Sequence, residues 1–65
     1  MEINYPKAIL RLRAKLNISQ KELGKMLDVS FTTVNRWENG HFEPTKIIKV
    51  KLDELFMKND IEVTK

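Results

Sequence analysis

Residues 19–40, SQKELGKMLDVSFTTVNRWENG, decide the reading of this chain. Ser19 and Glu22 have the S-x-x-E spacing of a capping box, in which the Ser oxygen and the Glu carboxylate each take an unpaired first-turn N–H. The spacing predicts a helix from Gln20 to about Leu27, with Leu23 and Leu27 one turn apart and facing inward. Asp28, Val29 and Ser30 interrupt it, and Ser30 is a suitable N-cap for a further helix. That helix is expected to end at Asn39, with Gly40 just past it, where a left-handed residue commonly stops the chain.

The flanks extend the pattern. A preceding helix is expected from near Pro6, which suits a first helical turn, to about Leu16. At about 100° per residue, Leu12 and Leu16 fall within about 60° of Ile9, and Lys7, Arg11 and Lys15 lie on the far side. Arg13 is different, about 40° from Ile9 and at the edge of the apolar face. Asn17 tolerates the left-handed conformation of a helix end. After Pro44, Leu52 and Leu55 lie within about 40° of Ile48 with Phe56 beside them, which favours a fourth helix. KIIKVKL at 46–52 also alternates like a strand, as does the closing IEVTK, so the tail reads as either disordered or a short strand. The expected fold is all-α: four helices, or four and a half, in one domain with a core at about 6–58 and a tail at 59–65.

Composition bounds the function. The 65 residues carry 12 Lys and Arg against 9 Asp and Glu, a net charge of +3 that permits a polyanionic partner without requiring one. With no Cys and a single His, a thiolate nucleophile and a sulfur-built zinc site are excluded and any metal site is disfavoured. No cofactor and no small-molecule ligand is indicated. Apolar runs are too short for a membrane span, and the first residues lack the basic-then-apolar order of a secretory signal. The expectation is a soluble intracellular domain.

Two short helices separated by three residues, the second capped by Ser and closed by Gly, have the pattern of a helix-turn-helix. The stretch ISQKELGKMLDVSFTTVNRWENG, with an Arg before it and a Pro after it, resembles the lambda-repressor-like (Cro/repressor, XRE) helix-turn-helix family. S-Q-x-x-L, the V-S turn, Val34 and W-E-N-G all stand at that family's spacing, and the resemblance spans about residues 7–56. It implies a cytoplasmic, DNA-associated protein of prokaryotic or phage type. Two departures occur. Gly24 stands where the family usually has Ala, allowing close helix approach at a propensity cost of about 1 kcal/mol. Asp28 stands where it usually has Gly, and Asp enters positive φ more readily than most residues.

The third helix can be sorted on its own angles. With Val34 at zero, Trp37 and Ser30 lie within about 60° and Glu38 at about 40°, so this side packs inward. Thr32, Asn35, Arg36 and Asn39 gather around about 150°, a face with one cation and no acid, as contact with a polyanion requires. Arg36 can present two donors to guanine, and Thr32 and Asn35 can bond base edges. Phe31 either packs on a thymine methyl or is half buried in the core. Trp37 reads as core, and its inward angle makes it a support for the helix. The family resemblance implies base contacts at Phe31, Thr32 and Arg36 and phosphate contacts at Gln20, Ser30, Thr33 and Asn39. Gln20 also fits independently, since it lies at a helix N-terminus. Lys21, Lys25, Arg11, His41 and Lys46 are further candidate phosphate contacts. The resemblance further implies that Arg13 and Glu38, each at the edge of its helix's core face, pair with each other.

Sequence-specific binding of double-stranded DNA by a repressor-type regulator is the leading expectation, with α-helical residues 30–39 in the major groove. A single half-site gives limited specificity, and Ile47, Val50 and Met57, opposite the core stripe, offer a surface for a homodimer through the fourth helix and tail. The competing readings are an antitoxin or protein-interaction module and a DNA-targeting piece of a larger enzyme. A stand-alone enzyme is not expected, because no phosphate-binding Gly loop, nucleophile–base set or helical ligand spacing is present.

Overall fold

The structure, a computed structural model, describes residues 2–65. Four helices follow in order: α1 (Tyr5–Leu16), α2 (Gln20–Leu27), α3 (Phe31–Glu38) and α4 (Lys46–Lys58), with no strand among the described residues. Each boundary has a local cause. The Asn4 side chain accepts from the Lys7 N–H at 3.3 Å, starting α1 one residue before Pro6. Both halves of the capping box form, Ser19 Oγ accepting from Glu22 N and Glu22 Oε1 accepting from Ser19 N, each at 3.0 Å. That main-chain N–H holds the Glu22 carboxyl below the ordinary carboxylate range. Asn17 and Asp28 close α1 and α2 in the left-handed region at φ 56 and 59, and Gly40 does so just after α3 at φ 74. The helical alternative for residues 46–52 prevails over the strand because Leu52 and Phe56, one turn apart, are both buried, with Ile48 and Leu55 half buried beside them.

The core is one cluster contributed by every helix. Ile9 and Leu12 of α1, Leu23 of α2, Val34 of α3 and Leu52 of α4 are fully enclosed, and Trp37 is 2% exposed. Gly24 sets how closely the α2–α3 turn approaches. A Cβ there would stand 2.6 Å from the Val29 carbonyl oxygen and 3.4 Å from the Ser30 carbonyl carbon, both main-chain atoms that cannot swing aside. Gly24→Val is expected to lower stability by about 3 kcal/mol, the upper end of overpacking, in a denaturant titration.

The tail is neither disordered nor a strand. Asp60 takes φ 54, and the Ile61 N–H returns to the Phe56 carbonyl at 2.9 Å, so the chain leaves α4 turned back on itself. It then runs beside the first residues: Asn4 N donates to the Val63 carbonyl at 2.6 Å, and Arg11 Nη1 donates to the Glu62 carbonyl at 2.9 Å. Ile61 and Val63, like Ile3, pack against the core. The alternation seen in the sequence therefore marks a one-sided extended segment laid along α1. Replacing Ile61 and Val63 together by Ala should cost about 2 kcal/mol, since each is only half buried, and lower the thermal midpoint accordingly.

Tyr5 fastens α1 to α4. Its hydroxyl donates to Asp53 Oδ1 at 3.1 Å, its ring lies 6.2 Å from that of Phe56, and Lys49 Nζ sits 5.1 Å above it while pairing with Glu43 at 2.6 Å. Burial, then the Asp53 carboxylate as hydrogen-bond acceptor and charge, pushes the phenol up to about 12. The folded state therefore holds this proton more tightly than the unfolded chain. Its contribution to stability is complete below pH 10 and is lost as pH rises toward 12. Alkaline unfolding followed by circular dichroism should fall within that window, and Tyr5→Phe should flatten it.

Candidate nucleic-acid interface

α3 is mounted on α1 and α2 by a charge held between helices. Arg13 grips Glu38 with Nε on Oε2 at 2.6 Å and Nη2 on Oε1 at 2.8 Å, a two-pronged pair whose carboxylate side chain is only 7% exposed. Nη1 of the same guanidinium donates to the Ile18 carbonyl at 3.3 Å. The Glu38 hydrogen bonds raise the Arg13 pKa further against the opposing effect of burial. Both groups were expected at the edges of their core faces, and the pairing that the resemblance implied is present. Its consequence for the outer surface is direct: the only acid of α3 is turned inward.

The outward side of α3 carries Thr32, Asn35, Arg36 and Asn39, all exposed. Arg36 stands outside the ion pairs formed among the described residues. Phe31 is 58% exposed, which removes the core alternative for this side chain. Trp37 is buried, as its angle required, and supports the helix from behind.

The first turns of α2 and α3 supply the flanking donors. Ser30 Oγ accepts from Thr33 N at 3.2 Å and shares a hydrogen with Thr33 Oγ1 at 3.0 Å. Between the two hydroxyls one O–H is used internally and one remains to donate outward. Gln20 lies at the start of α2, where its Nε2 donates to Glu38 Oε1 at 3.0 Å and its Oε1 accepts from Asn35 Nδ2 at 3.4 Å, leaving one N–H unspent. Lys21, Lys25 and Lys46 are exposed, Lys21 in the first turn of α2 and Lys46 in the first turn of α4.

Two of the anticipated contacts have partners within the chain. Arg11 lies on the side of α1 away from Arg13 and is held by the Glu62 carbonyl of the tail, so the docked tail accounts for a cation that the helical angles alone left outward. Asn39 turns its Nδ2 back onto its own helix, to the Asn35 carbonyl at 2.8 Å and Asn35 Oδ1 at 3.1 Å, so its donors are spent within the chain. One residue not anticipated joins the surface. Phe42, 45% exposed, lines with His41 and Arg36 a shallow cavity of about 280 Å³ just beyond the end of α3. The loop is fixed there because the His41 N–H returns to the Arg36 carbonyl at 3.0 Å. The signal for Phe42 was an aromatic in a polar loop two residues after the Gly40 stop, which the helical angles do not address.

α4 presents a second kind of surface. Ile47, Val50 and Met57 are 73%, 59% and 80% exposed, as expected for the side opposite the core stripe. The tail does not extend that surface, since Ile61 and Val63 face the core. No helix is long and apolar enough to cross a membrane, and no group of metal-ligating side chains forms among the described residues.

The capped α2, the Asp28–Ser30 turn and the supported α3 constitute a helix-turn-helix. A family profile described as helix-turn-helix matches residues 9–56, and the chain belongs to this lambda-repressor-like (XRE) family of DNA-binding domains. Comparison with curated proteins and with solved structures gave no match.

Proposed function

We propose that this protein is a sequence-specific regulator of repressor type that inserts α3 into the major groove of double-stranded DNA. The observation that carries the reading is the division of charge on α3: Glu38 is withdrawn onto Arg13, and the exposed side holds Arg36 with neutral hydrogen-bonding groups. A polyanion meets no repulsion there, and base edges meet donors. Arg36 offers a two-point contact to guanine O6 and N7, Thr32 and Asn35 bond neighbouring edges, and Phe31 covers a thymine methyl. Ser30, Thr33 and Gln20 give their remaining hydrogens to phosphates at two helix N-termini, with Lys21, Lys25, His41 and Lys46 adding donors along the backbone.

One domain reads too few base pairs for useful specificity, so two copies are expected on half-sites about one helical turn apart. The exposed Ile47, Val50 and Met57 of α4 support self-association. The same side chains favour a second reading, a module whose apolar α4 face docks a different protein, as in an antitoxin. Selection from a random duplex pool tests the primary reading. The wild type should recover a defined sequence, with affinity falling steeply as salt rises. Recovery of no sequence, or affinity indifferent to salt, leaves the protein-docking reading.

A further inference from the structure

α3 closes in a turn that fixes the residues after it. Gly40 takes φ 74, its N–H returns to the Trp37 carbonyl at 3.1 Å, and the His41 N–H returns to the Arg36 carbonyl at 3.0 Å. This is the Schellman closure, which locks the residue after the glycine beside a side chain of the last helical turn. Pro44 is buried, so the loop is held at its far side as well. Arg36, His41 and Phe42 consequently surround the cavity of about 280 Å³ at the end of α3, and the Phe42 ring stays 45% exposed on it. The neighbouring acid is drawn elsewhere: Glu43 pairs with Lys49 Nζ at 2.6 Å and lines a separate cavity with Glu2, Ile3 and Tyr5. What remains is an apolar ring beside two side chains with nitrogen donors.

Position decides which part of a duplex reaches these walls. A recognition helix touches base edges with its N-terminal residues. α3 has 8 residues and so extends about 12 Å, no more than the roughly 12 Å width of the major groove. Residues past its C-terminal end therefore meet the rim of the groove, where the sugar–phosphate strand runs. A deoxyribose with its phosphate has the matching composition in one unit, carbon atoms for the ring and anionic oxygens for the donors. A base methyl would cover the ring and leave the donors idle, and a phosphate alone would leave the ring in water. A loop fixed before binding also loses little conformational freedom on contact.

We infer that the cavity formed by Arg36, His41 and Phe42 is a docking site for one deoxyribose–phosphate unit at the rim of the major groove, with Phe42 against the sugar carbons and His41 donating to the phosphate. This rests on the DNA-binding reading above and extends it with an apolar contact that carries neither base information nor charge. The stem of Arg36 forms the inner wall, and its guanidinium reaches past it to the bases.

Phe42→Ala separates this contact from the others. Affinity is measured by fluorescence anisotropy on the duplex recovered from the random pool and on a scrambled duplex of equal length. It should fall about fivefold on both, because the sugar is the same on every nucleotide. The dependence of affinity on salt should keep its wild-type slope, because no cation is lost. Selection with the variant should return the wild-type sequence. Loss of preference at one base position would place a base methyl in the cavity, and unchanged affinity would leave the cavity without a role on DNA; either overturns the inference. A second measurement needs no variant. In the wild-type complex, nuclear Overhauser contacts should join the Phe42 ring to the 2′ and 3′ protons of one deoxyribose, and contacts to base protons alone, or none, overturn the inference. If the wild type recovers no sequence, the regulator reading fails, and the loss on the scrambled duplex still decides whether the sugar docks. A wild type that binds neither duplex defeats both.

Discussion

Glu38→Ala is expected to lower the thermal midpoint by about 10–20 °C, the largest stability effect of any single substitution at this surface. The substitution strands the Arg13 guanidinium at the α1–α3 junction and removes the acceptor for the Gln20 amide. Losing one partner of a buried pair costs about 3–5 kcal/mol, and the 21% exposure of the Arg13 side chain brings this to about 2–3 kcal/mol. A domain of this size has on the order of 3–10 kcal/mol in total, so the loss is a large share of it, and each kcal/mol moves the midpoint by about 4–8 °C. The folded fraction of Glu38→Ala should still favour guanine at the position read by Arg36, because the outward face loses no donor. Differential scanning calorimetry checks the first statement, and a midpoint within a degree or two of wild type contradicts it.

Arg36→Ala is expected to behave in the opposite way. The side chain is exposed and outside the ion pairs of the fold, so stability should change by less than about 0.5 kcal/mol. Its effect falls on DNA. Loss of a two-point contact to guanine removes about 1–3 kcal/mol of discrimination at one base pair, and loss of the cation also makes the dependence of affinity on salt shallower. Selection with this variant should keep the rest of the recovered sequence and lose one position. Uniform weakening with every preference intact would reassign Arg36 to the phosphate backbone. Together the two variants separate the residue that mounts the helix from the residue that reads with it.

The punctuation of the chain was the most legible part of the fold. Ser19 with Glu22, Asn17, Asp28, Ser30 and Gly40 act through the chain within a few residues of themselves, so their roles follow from local chemistry, and each stands where that chemistry put it. The inward and outward sides of α3 were equally legible, since helix geometry fixes them once Val34 is placed. What escaped depends on chain segments far apart. The tail docks because Asp60 turns it back and Asn4 and Arg11 supply donors across the whole length of the chain, so its alternation could not distinguish a strand from a coil laid on a helix. The bond from Arg11 to the tail escaped the helical angles for the same reason. The junction of Glu38 with Gln20 and Arg13 needs a carboxylate on α3, an amide on α2 and a guanidinium on α1 to meet, and no spacing along one helix encodes that meeting.

The two exposed surfaces make opposite claims on the same molecule, and amide chemical-shift mapping with the selected duplex decides between them most directly. Titration should perturb residues 20–21 and 30–36, together with His41 and Phe42, and should leave residues around Ile47, Val50 and Met57 unmoved by a single half-site. Perturbation confined to the outer side of α4, with the amides of Thr32 through Arg36 unchanged, would contradict recognition by α3.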